Sequence, residues 1–249
     1  MKNKKLNNQS SQKSNGVPTV PNTIEILSNS SIFKYFLSGM VIFGICFISC
    51  LFVFQILLTQ IGVKGYSMQP TINASAYGDE GQYNNDYVYY FNSNKIASKD
   101  IVIIKGGKTD SGDKIIKRII ATPGQTITFK KTKETLLNAN LVLYVDVYVN
   151  GIKLEETYIN EEQMLIQYNI LESPKYQYYN NLVHALKNNG EFTQTLEKNQ
   201  YFVLGDNRNL SVDSRYFGPI SKDDILGKVI LQIQHGESLL LAIWNALFK

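Results

Sequence analysis

The pattern of apolar and polar positions divides the chain into a long apolar run and a region of short strands. From Phe36 to Leu58 the sequence FLSGMVIFGICFISCLFVFQILL carries no charge. About 23 residues at a helical rise of about 1.5 Å give roughly 34 Å, enough to cross a hydrocarbon core of about 30 Å. A cleaved secretory leader would have an apolar region of about 7–15 residues ending in small side chains. Gln55, Thr59 and Gln60 stand there instead, so the run predicts an uncleaved transmembrane anchor. Beyond it, stretches rich in Val, Ile, Tyr and Phe are broken by Gly, Asn and Asp, the pattern of strands. They are Asp86–Phe91, Asp100–Ile104, Lys114–Ala121, Gln125–Phe129, Leu141–Val149, Gln200–Leu204 and Ile225–Ile233. Asn150-Gly151 predicts a hairpin turn. Residues 160–198 are polar and rich in Tyr and Asn, with one helix expected near Asn180–Asn188.

These elements predict a mainly β protein: one N-terminal transmembrane helix and an extracytoplasmic antiparallel β domain with an inserted cap. The expected divisions are a disordered basic tail over 1–35, the anchor over 36–58 and the domain over 59–236, with its insertion at about 131–199. A short apolar segment, 237–249, follows. That segment is too short to span a bilayer. It either docks on the core or domain edge, the favoured reading, or lies in the membrane interface with Trp244 at headgroup depth.

Charge orients the anchor. Lys2, Lys4, Lys5, Lys13 and Lys34 against Glu25 make the first 35 residues +4, which equals the charge of the whole chain, so the remainder is neutral. The positive-inside rule then places the N-terminus in the cytoplasm and the domain outside. The basic tail reads as this orientation signal near anionic lipid, and not as a nucleic-acid arm. Cys46 and Cys50, the only cysteines, both lie in the apolar run. The domain therefore has no disulfide framework and no cysteine metal site. The two histidines, His184 and His235, show no metal-ligand spacing, and neither a metal nor another cofactor is expected.

Candidate chemistry begins at Ser67, in Gly65-Tyr-Ser-Met-Gln-Pro-Thr71, a few residues past the anchor. A serine hydroxyl needs a base to act as a nucleophile. Neither histidine has a context that suggests one. A neutral lysine is the alternative. Lowering its pKa from about 10.4 to about 8 costs roughly 3 kcal/mol, which burial can impose. In Lys114-Ile-Ile-Lys-Arg-Ile-Ile-Ala121, strand alternation puts Ile115, Lys117 and Ile119 on one face and Ile116, Arg118 and Ile120 on the other. Lys117 among isoleucines is either a functional group or a snorkelling edge-strand lysine. A third cluster, Gly205 to Pro219, is dense in hydrogen-bonding groups. It reads either as a polar loop with surface ion pairs or as a scaffold orienting a catalytic group.

Taken together, these segments resemble the type I signal peptidase family. The resemblance rests on the anchor followed by Gly65-Tyr-Ser-Met-Gln-Pro-Thr-Ile72, then Asp100-Ile-Val, Ile116-Lys-Arg-Ile-Ile-Ala-Thr-Pro-Gly124, Val147-Tyr-Val-Asn-Gly151, Gly205-Asp-Asn-Arg208 and Ser211-Val-Asp-Ser-Arg215, in the family's order. It implies a membrane-anchored serine endopeptidase with a Ser-Lys dyad. Such an enzyme removes signal peptides from exported preproteins after small residues. Ser67 matches the nucleophile and Lys117 the general base. Ser211 matches the serine that hydrogen-bonds the lysine amine. Asp213 and Arg215 match a supporting ion pair, and Asp206 is expected to pair with Arg118. Pro70 and Thr71 shape the serine loop, and Met68 is expected near the membrane surface with Pro70. The partners implied are signal-peptide-bearing preproteins and membrane lipid, without metal or nucleic acid. Some family members carry a hydroxyl side chain two residues before the serine as an oxyanion donor. Gly65 stands there, as in other members, so the second donor is unassigned. Ala121-Thr-Pro-Gly-Gln125 and Leu210 also depart from common family residues. Two rival readings are a catalytically silent relative that assembles surface fibres and a self-cleaving Ser-Lys repressor. The first would lack the serine or lysine, and the second would need a cytoplasmic DNA-binding domain.

Overall fold

The computed structural model describes residues 31–74, 85–107, 112–138, 140–159, 164–171 and 173–248. The chain divides into two units at Phe54/Gln55. Helix α1 (Ser31–Leu57), which lies in the first unit up to Phe54, contains a 21-residue stretch, Phe33–Val53, long and apolar enough to cross a membrane. Its Phe36, Met40, Phe43, Phe47 and Leu51 are all exposed. Cys46 and Cys50 are exposed free thiols on the same helix.

The second unit is built on two antiparallel sheets. The first seven strands are β1 (Thr59–Gly62), β2 (Tyr87–Phe91), β3 (Ile101–Ile104), β4 (Ile115–Ala121), β5 (Thr126–Leu137), β6 (Asn140–Val149) and β7 (Ile152–Lys153). After them come β8 (Met164–Gln167), helix α2 (Gln177–Asn189), β9 (Glu191–Thr195), β10 (Gln200–Leu204), the short helix α3 (Ser214–Phe217), β11 (Ile220–Ser221), β12 (Ile225–Ile233) and helix α4 (Leu239–Phe248). The larger sheet has the order β1-β2-β12-β3-β4-β10-β11. The smaller runs β7-β6-β5-β9, with β8 also on β6. The seven strands read from the sequence are all present, and the Asn150-Gly151 turn has both residues at positive φ, 51° and 79°. α2 covers the expected helix and ends on Gly190 in the left-handed region.

β4 lies between β3 and β10, and every residue from Ile116 to Ala121 is buried. This overturns the edge-strand reading of Lys117, because a central strand offers its lysine no solvent to snorkel into. Apolar side chains fill both faces of the sheet. Ile116 packs with Ile103, Val88 and Tyr90, while Ile119 packs with Val102, Ile104 and Val203. At the far end of β4, Ile120 and Ala121 join Phe129, Leu143, Phe202 and the buried face of α2 in the largest core cluster. That cluster ties the two sheets together. α4 rests on β12 through Ala242, with Leu231 and Ile233 beneath it.

Candidate active site

Ser67 is held by a turn that folds back onto the larger sheet. Ile72 N–H donates to the Met68 carbonyl at 2.9 Å and Gln69 N–H to the Tyr66 carbonyl at 3.1 Å. Met68 does not lie at a surface, as expected from sequence, but is 1% exposed. It packs beside Ile72, Val63 and Val88, so the turn uses it as an apolar plug into the sheet. Pro70 is half-buried. The far end of the turn is closed by Asn73 (φ 59°), a left-handed position that Asn tolerates. Asn73 N–H donates to the Asp86 carboxylate at 2.8 Å, and Asp86 N–H returns a bond to the Asn73 side chain at 2.7 Å. The Asn73 amide also donates to the carbonyls of Val63 (2.8 Å) and Gly65 (3.1 Å). Gln232 of β12 and His235 N–H complete the shell of Asp86 at 2.8 and 3.1 Å. A buried carboxylate satisfied by three N–H groups thus fixes both ends of the serine turn.

Lys117 reaches Ser67 from β4. Its Nζ is 2.8 Å from Ser67 Oγ and donates to the Ile116 carbonyl at 2.9 Å. The lysine is 3% exposed. Burial lowers its pKa from 10.5 to about 8; Asp213 opposes that shift, Arg215 adds to it and Asp206 opposes it more weakly. The two residues share a cleft of about 640 Å³ walled by Ile61–Lys64 on one side and Lys114–Ile116 on the other. His184 stands against Tyr168, and His235 contributes only its backbone to Asp86. The hydrogen bond at Ser67 Oγ comes from Lys117.

The loop after β10 supports both groups. Asp213 is fully buried and accepts from Gly205 N–H at 3.0 Å and from Arg215 Nε and Nη2 at 2.8 Å each. Burial would raise its pKa, but the Arg215 guanidinium outweighs that and holds it below the usual carboxylate range. Arg215 also donates to the Ser211 carbonyl at 3.1 Å. Ser211 Oγ is buried and makes no hydrogen bond of good geometry; Lys117 Nζ donates elsewhere. The approach of the two loops is closest at Gly205. A Cβ there would stand 2.2 Å from Ser211 Oγ and 2.4 Å from the Ser67 carbonyl oxygen. Asn207 N–H donates to that same carbonyl at 3.1 Å.

Arg118, the next residue of β4, pairs with Asp206 through Nε (2.8 Å) and Nη2 (2.5 Å). Burial would lower the Arg118 pKa, and the bond and charge of Asp206 outweigh it and hold it above its ordinary value. Asp206 also accepts from the Thr71 hydroxyl at 2.5 Å, which links this pair to the serine turn.

Several residues of this network are silent in the sequence. The Tyr158 ring covers the Arg118 guanidinium at 3.9 Å. Its hydroxyl donates to Glu156, which forms a bidentate pair with buried Arg208. Glu156 and Tyr158 follow the hairpin turn without any periodic pattern, so no local signal marks them. Asp86 does carry one, a carboxylate placed directly before an apolar strand. Among the described residues no group of three or more His, Cys, Asp or Glu is arranged to hold a metal.

Comparison with known proteins places the chain in a family. The model of the family described as "Signal peptidase, peptidase S26" matches residues 32–233. Signal peptidase IB of Staphylococcus aureus is 29% identical over 198 residues, which cover 79% of this chain and 88% of that protein. Signal peptidase I V of Bacillus subtilis is 32% identical over 167 residues, 67% of this chain and 80% of that protein. A crystal structure of a signal peptidase I from Enterococcus faecalis is 25% identical and covers 54% of this chain and 96% of its own, with a TM-score of 0.32. With a family match that runs from α1 to the last residue of β12, the chain belongs to the signal peptidase family, peptidase S26, and is a serine peptidase.

Proposed function

We propose that the protein is a membrane-anchored endopeptidase that cleaves signal peptides from exported preproteins with a Ser67–Lys117 dyad. The observation that carries this reading is the 2.8 Å contact between Ser67 Oγ and a lysine whose pKa is lowered to about 8. Neutral Lys117 accepts the Ser67 proton as Oγ attacks the scissile carbonyl carbon. The C–N bond then breaks, and the Lys117 ammonium returns its proton to the leaving amine. An acyl group remains on Ser67. Lys117 next takes a proton from water, which attacks the ester and frees the new acid. The backbone N–H of Ser67 is one donor to the oxyanion, and Gly65 has no side chain to supply the other.

Asp213 and Arg215 hold the loop that brings Ser211 beside the dyad, and the Asp206–Arg118 pair holds the serine turn through Thr71. We read residues of about 131–199 as an insertion that contributes Glu156 and Tyr158 to this support. The cleft walls are apolar at Ile61, Val63 and Ile116, which suits small apolar side chains before the cut. α1 is the anchor, and the lysine-rich tail keeps the N-terminus cytoplasmic. Substrates still held in the bilayer then meet the site at raised effective concentration.

The test is cleavage of a purified preprotein by the full chain in proteoliposomes. Lys117→Ala is expected to lower kcat by about 10²–10⁴-fold, and Ser67→Ala to abolish acyl-enzyme formation. A wild-type rate in either variant ends the dyad reading.

A further inference from the structure

α4 is amphipathic in the inverted sense. On a water-facing surface helix the exposed stripe is polar. Here Leu240, Leu241, Trp244, Leu247 and Phe248 are 51–80% exposed and share one face. Trp244 and Phe248 lie ring on ring, with centroids 4.3 Å apart. The opposite face is the one that docks, through Ala242 and Ile243 onto Leu231, Ile233 and Tyr89. Asn245, the helix's only polar side chain, is turned back to Glu237 at 2.9 Å. Residues 238–248 carry no charge at all. A contiguous apolar face of this kind marks an interaction site.

Its position in the sheet indicates what covers it. Gln60 pairs with Tyr89, and Tyr89 pairs with Leu231. The rung beneath α4 therefore begins one residue after Thr59, the first residue of β1. α1 ends at Leu57, and the two residues from Leu57 to Thr59 span at most about 7 Å. Two strand spacings, about 10 Å, separate Gln60 from Leu231. If α1 crosses the bilayer, the apolar face lies close to where the chain leaves it. A protein partner would be met by hydrogen-bonding groups at a polar rim. This face offers only the indole N–H, which is the composition of a helix in lipid and not of a protein interface.

We propose that α4 is an interfacial helix. It lies in the plane of the bilayer surface with Leu240, Trp244, Leu247 and Phe248 among the acyl chains and the indole at headgroup depth. This inference rests on α1 being the anchor. It gives the catalytic sheet a second attachment, and two attachments fix the height and tilt of the Ser67 cleft where one leaves it free to swivel.

Trp244 is the only tryptophan in the chain, so its fluorescence reports this helix alone. The full chain is placed in phosphatidylcholine vesicles with and without phosphatidylcholine dibrominated at acyl positions 6 and 7. Brominated lipid is expected to quench Trp244 by at least about twofold, and aqueous iodide to quench it little. The double variant Leu240→Gln/Leu247→Gln is expected to lose most of the bromolipid quenching and gain iodide quenching. Strong iodide quenching without bromolipid quenching in the unsubstituted protein overturns the proposal. Protection from both quenchers also overturns it, because a second copy or another protein then covers the helix. Quenching unchanged in the double variant overturns it as well. Flotation of the vesicles after alkaline carbonate separates the two readings. Protein that fails to float refutes the anchor, whereas protein that floats with Trp244 in water refutes the interfacial helix alone.

Discussion

The protonation of Lys117 makes the most exacting prediction. With a pKa near 8, about a tenth of the lysine is neutral at pH 7, half at pH 8 and about nine-tenths at pH 9. If the neutral amine is the base, kcat/KM rises about fivefold from pH 7 to pH 8 and levels off above about pH 9. The same group governs stability. The unfolded lysine keeps its proton up to about its ordinary 10.5, whereas the native one releases it near 8. Between those values the unfolded state binds more protons, so stability rises with pH. The unfavourable contribution of the buried ammonium is complete below pH 8 and is gone by about pH 10.5. Its size is about 3 kcal/mol, from about 1.36 kcal/mol per pKa unit. Lys117→Met is therefore expected to be inactive yet more stable than the parent at pH 7 by up to about 3 kcal/mol, with that gain lost by about pH 10.5. Initial rates on a preprotein from pH 6 to 10, with thermal denaturation of both proteins at pH 7 and pH 10, measure the two effects. A flat rate between pH 7 and 9, or a midpoint at the ordinary lysine value, refutes the neutral-lysine mechanism.

Two substitutions probe the supports of the dyad. Gly205→Ala places a Cβ 2.2 Å from Ser211 Oγ and 2.4 Å from the Ser67 carbonyl. A displacement of the serine turn by about 1 Å is expected to cost on the order of 10²-fold in kcat by steady-state kinetics. Glu156→Ala leaves Arg208 buried without its carboxylate, and chemical denaturation is expected to show a loss of about 3–5 kcal/mol.

What the sequence made legible depends on how local the cause is. α1, β3, β4, β10 and β12 carry their own apolar patterns, and each was readable from a few consecutive residues. β1, with the sequence Thr-Gln-Ile-Gly, has no such pattern and is a strand because β2 pairs with it. β5 continues eight residues past Phe129, to Leu137, through a mostly polar stretch. Cross-strand pairing with β6 and the Lys131–Glu134 ion pair sustain it there, without apolar burial. β9 is half-exposed at best and rests on β5. The side chains brought to the dyad are legible only through their segments' resemblance to a family, because no period marks them. The burial of Met68 is not legible for a related reason, since an apolar residue beside a membrane span says nothing about which way a turn folds. Glu156 and Arg208 are 52 residues apart, and no local rule joins them.

The reciprocal bonds between Asn73 and Asp86 separate the length of the intervening chain from the position of the nucleophile. The chain returns to the point it left, and Gln232 of β12 and the His235 N–H just past that strand clamp that point. Extra residues placed between 74 and 85 then enter the energetics mainly as loop-closure entropy, about 0.6 kcal/mol for each doubling in length. A reporter peptide or affinity handle spliced there is expected to leave Ser67 facing Lys117, with the rate of preprotein cleavage unchanged as the check.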